Sequence, residues 1–351
     1  MQRLAEYIWL DGAKPTQQLR SKSRVVELPQ DRNVDPNDLP EWGFDGSSTY
    51  QAKGDDSDLT LIPVRVLLDP IRKGGNVLVL CEVMNPDGTA HSTNTRAELR
   101  KVLDEGASEQ EPWFGFEQEY TLFKNRSPLG WPKDGFPAPQ GPYYCGVGTN
   151  NVYGRKFVEA HTFACLEAGI MLYGINAEVM PGQWEFQVGH RGFKDEAGDP
   201  LTVADHMWMA RYLLNRIGEE YDITVSLDPK PMKGDWNGAG NHTNFSTRDM
   251  RDPVTGIATI DAAVERLSTT HEAHIAQYGA NLAERLTGQH ETCSITEFKA
   301  GVANRNASIR IPRHVSTLGG GYLEDRRPGA NSDPYVVSTS ILRTVLAMQS
   351  A

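Results

Sequence analysis

Cysteine is scarce and scattered. Cys81, Cys145, Cys165 and Cys293 are the only four in 351 residues, and no two form a C-x-x-C pair. That excludes a disulfide framework and a thiolate zinc site, and the expectation is four reduced core thiols in a cytoplasmic protein. Long apolar runs are lacking too. The longest strongly apolar stretch, Val77–Cys81, is too short to cross a bilayer. Met1–Glu6 meets charge before any apolar h-region, so no signal peptide is expected. Positive charge is in deficit: 35 Lys and Arg against 46 Asp and Glu leave a net charge of −11. Sequence-independent binding to nucleic acid or to an anionic membrane is disfavoured by that sign. Several signatures are missing as well. There is no G-x-x-x-x-G-K-[ST] phosphate loop, no G-x-G-x-x-G and no G-x-S-x-G elbow. His271-Glu272-Ala273-His274 falls one residue short of H-E-x-x-H and reads as ordinary helix surface.

What is present begins with Trp113–Phe123, WFGFEQEYTLF. Aromatic and apolar residues flank two carboxylates, Glu117 and Glu119, in a run that reads as a buried strand. Residues two apart on a strand share a face, so the two acids should stand side by side. Buried together they repel unless a proton or a cation compensates them. The pattern recurs. Glu178 and Glu185 flank a Pro181-Gly182 turn; His242, Asn244 and Ser246 share one face of a strand; Glu324 and Arg326 repeat the spacing. Five glutamates and one histidine make a cage for hard divalent cations, Mg2+ or Mn2+. Arg305, Arg310, Arg313, Arg326 and Arg327 cluster near the C-terminus of this acidic chain. Arginine holds phosphate and carboxylate bidentately, though surface ion pairing would produce the same cluster. Carboxylate-held metal with arginines points to phosphoryl transfer.

The remaining pattern suggests an α+β protein with a largely antiparallel sheet. Strands are expected at Tyr7–Asp11, Arg24–Leu28, Asn76–Met84, Ile170–Met180, Gln183–Gly189, Ile223–Leu227, Gly240–Ser246 and Asn304–Ile311. Helices are expected at Thr95–Leu103, opened by a Thr95/Glu98 capping box, at Tyr153–Ala168, at Thr202–Tyr221 with Thr202 and Asp205 at its start, at Thr259–Tyr278 and at Tyr335–Met348. Asn125–Asn150 reads as a long ordered loop with aromatic anchors. The boundary between a small β-rich domain (1–95) and a larger one (96–351) is placed just before the first helix.

Long blocks of the chain resemble the glutamine synthetase family, in its shorter type II form. They include Phe44–Thr49, Trp113–Tyr120, Gly141–Gly148, Asn176–Phe186, Asn237–Ser246, Arg285–Gly288, His290–Thr292, Ala303–Arg313 and Glu324–Pro328, in order. The resemblance implies an N-terminal β-grasp domain joined to a catalytic domain with a curved, largely antiparallel sheet flanked by helices. It implies ATP-dependent ligation of ammonium to L-glutamate through a γ-glutamyl phosphate. Glu119, Glu178 and Glu185 match the ligands of one metal ion, and Glu117, His242 and Glu324 those of a second, on the ATP side. Asp235, Trp236, Asn237, Gly238, His242, Arg285, Arg305 and Arg326 match the surroundings of glutamate. Glu117, Glu185, Asn244, Phe245, Ser246, Arg305, Arg310 and Tyr322 match those of ATP. Asp45, which in the family reaches a neighbouring subunit's site, and Glu291, on a mobile flap, match the groups that bind and deprotonate ammonium; Arg305 and Arg310 match those on the transferring phosphate. A ring assembly, a decamer of two pentamers, is implied, with active sites between subunits. The adenylylated C-terminal extension of the longer type I form is not expected. A ligase for another amine would keep the metal residues and alter the surroundings of Asp45 and Glu291; a non-catalytic paralogue should have lost a metal carboxylate or Arg310.

Overall fold

The computed structural model describes residues 1–193 and 196–348; the last three residues of the expected second domain lie outside them. In the first ninety residues alternation decides the packing. β1 (Gln2–Leu10) pairs antiparallel with β2 (Leu19–Glu27), and three more strands follow: β3 (Trp42–Asp45), β4 (Asp58–Leu68) and β5 (Val77–Met84). The sheet order is β2-β1-β5-β4-β3, with β1 and β5 parallel and the other pairs antiparallel. Tyr7, Trp9, Val79 and Cys81 turn into a small core of this sheet's own. Ile8, Leu78 and Leu80, on the alternate face, join the main core of the molecule. The sheet therefore has no bare apolar face. The sequence reading has no counterpart of β4. Leu59 and Leu61 are buried, but from Ile62 to Leu67 the residues are half-buried on both faces, and Pro63 and Arg65 interrupt the apolar run at a bulge. Asp45 closes β3, an element read from sequence as part of a polar loop.

The second sheet is built on one long strand. α1 (Thr95–Asp104) leads to β6 (Trp113–Lys124) and the short β7 (Ser127–Pro128). α2 (Arg155–Ala168), β8 (Leu172–Ala177), β9 (Gln183–Gly189), α3 (Pro200–Tyr221), β10 (Thr224–Ser226) and β11 (Asn241–Ser246) follow. After α4 (Gly256–Thr269), α5 (His271–Ile275) and α6 (Leu282–Arg285) come β12 (Ala300–Val302), β13 (Ile309–Ile311), α7 (Arg313–Leu318), β14 (Leu323–Asp325) and α8 (Pro334–Val345). The order is β12-β13-β14-β11-β6-β9-β8, antiparallel except for the β12/β13 pair, with β7 and β10 also on β6. The α+β, largely antiparallel expectation holds.

Local details depart from expectation for physical reasons. α1 is capped by Asn94, whose side chain accepts from Ala97 N at 3.1 Å. Thr95 is already helical and donates its hydroxyl to Asp333 at 2.6 Å, so the expected Thr95/Glu98 box does not form. α3 starts earlier than expected, with Pro200 at its first position and Asp199 accepting from Thr202 N at 2.9 Å. The helix expected over Thr259–Tyr278 breaks at Thr270, and the short α5 beyond it buries His274 to 2% exposure. His271-Glu272-Ala273-His274 is thus not plain helix surface. The strand expected over Asn304–Ile311 is confined to β13. All four cysteines are free, and Cys145 is exposed rather than in the core.

Candidate active site

β6 supplies the centre. Its register with β11 sets Glu117 opposite His242, and its register with β9 sets Glu119 opposite Glu185. Asn244 of β11 faces Glu324 of β14. Glu178 follows β8 and is held by its N–H on the carbonyl of Gln183, at the turn where Gly182 takes φ 77°. These pairings gather two sets of side chains. Glu119, Glu178 and Glu185 each bring one ligand atom within 4.8 Å of the others, and Glu117, His242 and Glu324 do the same. Glu117 and Glu119, adjacent on one face, belong to different sets.

The electrostatics of the first set call for a cation. Burial, and then the neighbouring Glu119, push the Glu178 carboxyl up to about 8. Burial, followed by Glu117, Glu119 and Glu178, holds Glu185 well above the usual carboxylate range. Without a counter-charge these acids keep their protons at neutral pH. Two amides brace them: Asn176 Nδ2 donates to Glu178 at 2.8 Å and Gln187 Nε2 to Glu185 at 2.5 Å. In the second set, His242 turns Nδ1 towards Glu117 and Glu324, 3.6 Å from each. Burial, then the charge of Arg326, lowers the imidazole to about 3, which leaves it neutral; with Nε2 facing Arg285, the proton sits on Nδ1 and a metal bound there would displace it. Oxygen donors with a single imidazole fit a hard divalent cation.

Arginines close the other side. Arg310 and Arg326 each donate to Glu324 at 2.5 Å. Arg285 donates to Nε2 of His242 at 2.9 Å, and burial lowers it only to about 10, so it stays cationic. The cavity between these groups measures about 500 Å3; Asn237, Gly238, Glu291, Arg305 and Arg310 are among its lining residues. A Cβ on Gly238 would meet Pro229 O at 2.5 Å and Arg285 Cγ at 2.7 Å, so only glycine fits there. Glu291 sits on a strained segment, with φ 58° after φ 52° at His290. Its carbonyl accepts from Arg326 at 3.3 Å, and His290 pairs with Asp235 at 3.1 Å.

Not every expected residue joins. Asp45 is exposed at the end of β3 and does not line this cleft; Ser47 and Ser48 hydroxyls hold its carboxyl down at about 2. Asp235 is exposed, and Trp236 packs on Trp131, ring centroids 4.9 Å apart; neither Asp235 nor Trp236 lines the cleft. Alternation turns the Phe245 ring away from Asn244 into the core against Phe114, so only its main chain is left to meet a ligand. Asn244 donates to Glu117 at 2.9 Å, and Ser246 accepts from Arg251 at 2.9 Å. Tyr322 lies close enough to Glu117 for its charge to raise the phenol, after burial. Among the clustered arginines, Arg313 is exposed and Arg327 faces away from the cleft. Sequence reasoning missed Asn176 and Gln187, although each stands two residues from a cluster glutamate. It also missed an aromatic platform: Trp113 stacks on His190 at 4.6 Å and lies under the Arg251 guanidinium at 4.2 Å. Nothing local joins those three residues.

A sheet that sets two carboxylate clusters beside buried arginines defines a metal-dependent enzyme handling anionic substrates. Residues 2–86 match the family model described as glutamine synthetase, beta-Grasp domain, and residues 92–347 that of the glutamine synthetase catalytic domain. The chain is 53% identical to the chloroplastic glutamine synthetase of Chlamydomonas reinhardtii, covering 97% of this chain and 90% of that one. It is 54% identical to glutamine synthetase of Streptomyces viridochromogenes, covering 97% and 96%. It is also 54% identical to glutamine synthetase 2 cytoplasmic of Drosophila melanogaster, covering 97% and 90%. The chain belongs to the glutamine synthetase family, the glutamate–ammonia ligases, and its five-stranded sheet is that family's β-grasp domain.

Proposed function

We propose that the cleft holds glutamate and the ATP phosphates about two divalent cations, Mg2+ or Mn2+. Glu119, Glu178 and Glu185 would hold one ion, and Glu117, His242 and Glu324 the other. The observation that carries this reading is the split of Glu117 and Glu119, two residues apart on one strand face, between two three-ligand clusters. When bound, the ions neutralise phosphate charge and polarise the transferring group. Arg285 and Arg326 bind the carboxylates of glutamate, and Gly238 gives them room. Arg305 and Arg310 bind the phosphoryl group as it moves to the γ-carboxylate, which gains a leaving group thereby. Ser246 and the Trp113 platform take the ribose and base. Trp113 stands four steps along β6 from Glu117, about 13 Å, a span suited to a nucleotide.

Ammonium is no nucleophile until it loses a proton, so it needs anionic groups where it binds. Asp45, held ionised, and Glu291 supply them. Since Asp45 lies off its own chain's cleft, it would serve a second copy, in keeping with a ring of two pentamers with active sites between subunits. Glu291 also shuts the cleft, which protects an acyl phosphate from water. The four free, separated cysteines support a cytoplasmic location. The relatives differ on this point, one being named cytoplasmic and another chloroplastic.

The test is phosphate release from MgATP with glutamate, with and without ammonium, repeated with Mn2+. Release that depends on ammonium is expected with wild type. Glu291→Ala should cut that turnover about a hundredfold while leaving ATP affinity within about twofold. Unchanged turnover in Glu291→Ala removes the role given to it.

A further inference from the structure

β14 is only three residues long, yet Glu324 and Arg326, two groups of the cleft, lie on it or just past it. Its register rests on three residue pairs to β11 and two to β13. A slip of one residue would turn both side chains out of the cleft. The alternate positions, Asp325 and Arg327, point the other way and are at most 1% exposed. They form a forked pair there: Arg327 donates to Asp325 at 2.7 Å and 2.9 Å, and the Arg327 N–H adds a third bond at 3.1 Å.

The pair does not end in the strand. Tyr278 Oη donates to Asp325 at 2.9 Å. His274 Nδ1 meets that hydroxyl at 2.5 Å, and its Nε2 meets the Thr344 hydroxyl at 2.7 Å. The main chain is tied as well, with Gly329 N donating to Tyr278 O at 3.0 Å. A polar chain therefore runs from α8, through α5 and the residues after it, to the back of β14. A buried ion pair is weak evidence for stability, because its desolvation cost offsets its attraction. A buried network with nearly every member satisfied is well suited to fixing one geometry. The break of the helix at Thr270 puts His274 in reach of this chain.

We propose that Tyr278 and His274 are positioning residues for the active site. Through Asp325 and Arg327 they set the register and tilt of β14, and so the reach of Glu324 towards its metal and of Arg326 towards glutamate. This rests on the roles given above to Glu324 and Arg326. Groups that orient metal ligands from behind change metal affinity or activity about 10- to 100-fold when removed.

The experiment is Mn2+ titration of the full-length enzyme, followed by the paramagnetic signal of free ion, beside glutamate KM, kcat and Tm. Tyr278→Phe removes one hydroxyl and keeps the ring. It should weaken one of two Mn2+ steps about tenfold and raise glutamate KM about tenfold. The other Mn2+ step should hold within about twofold, and Tm should stay within about 4 °C. Thr344→Val, at the far end of the chain, should shift the same step and KM less, and it serves if Tyr278→Phe does not fold. Unchanged Mn2+ steps and KM in the folded variants overturn the proposal. So does equal weakening of both steps with a fall in Tm, the mark of a merely structural role. Glu324→Gln keeps the underlying reading separate: if it leaves both Mn2+ steps intact, the metal assignment fails whatever Tyr278→Phe does.

Discussion

A carboxylate buried beside other carboxylates must hold a proton or a cation, and Glu178 and Glu185 are in that position. Their raised values mean that at pH 7 the metal-free chain carries protons there. A cation can bind only as they leave. Titrating the apoenzyme with Mg2+ or Mn2+ at pH 7, in buffers of differing ionisation heat, should show release of about one to two protons per chain. The release should fall as pH rises through about 8, above which Glu178 is already ionised. Metal binding with no proton release would contradict the burial argument. At this scale much of the site was legible. Period-two spacing on short apolar strands put Glu117 beside Glu119 and His242 beside Asn244. Which acids share an ion was not legible from spacing, because partners such as Glu117 and Glu324 meet only through strand register. The same limit hid Trp113, His190 and Arg251, which come from three separate elements. The inward turn of the Phe245 ring is what alternation predicts beside Asn244 and Ser246, which share the opposite face.

Among the elements, α3 bears the largest share of the core, burying Val203, Met207, Leu213 and Leu214 fully against β6 and its neighbours. Its start is sharp because Pro200 cannot donate and Asp199 accepts from Thr202 N. Asp199→Ala should cost about 1 kcal/mol in denaturant unfolding and leave kcat unchanged, since no part of the cap lines the cleft. A lowered kcat at normal stability would mean that the helix start is coupled to the chemistry. α2, ended by Gly169, and β9, a short apolar run opened by the Pro181-Gly182 turn, were legible in the sequence. β4 was not, because the alternation at Leu59 and Leu61 is lost past Pro63, where the strand is half-buried on both faces. Nor was the α4/α5 break, where a tertiary demand, the burial of His274 behind β14, overrides helical pattern. Cap residues were misplaced by one to three positions for a related reason. Thr95 and Thr202 have the right chemistry, but Asn94 and Asp199 have it too and lie where the chain turns.

The whole molecule has to hold its two sheets in a fixed relation, and Asp205 of α3 does so at the seam. It is fully buried and accepts from Arg65 of β4 at 3.0 Å, from Arg96 of α1 at 2.8 Å and from Tyr335 of α8 at 2.7 Å. Glu82 of β5 meets Arg96 at 2.8 Å from the other side. Asp205→Ala takes one of the two carboxylates from buried Arg96 and the partners of Arg65 and Tyr335, and should cost about 3 kcal/mol in denaturant unfolding. A loss under ~1 kcal/mol would show that the seam is held by apolar packing alone. The seam also fixes where the small sheet carries Asp45, the residue that its own cleft lacks. If Asp45 completes the site of a second copy, two inactive chains should repair each other. On the proposed roles, Asp45→Ala lacks the ammonium group and Glu178→Ala a metal ligand. Co-expressed in equal amounts and assembled at random, a shared site is intact when the Glu178→Ala chain offers Asp45 to a cleft of the Asp45→Ala chain. That pairing occurs at about one site in four, so ammonium-dependent turnover should recover to about a quarter of wild type. Mixing the same chains after each has assembled alone should recover none until subunits exchange. Co-expressed chains that stay as inactive as either parent would place Asp45 outside the reaction, or inside a site that one chain completes for itself.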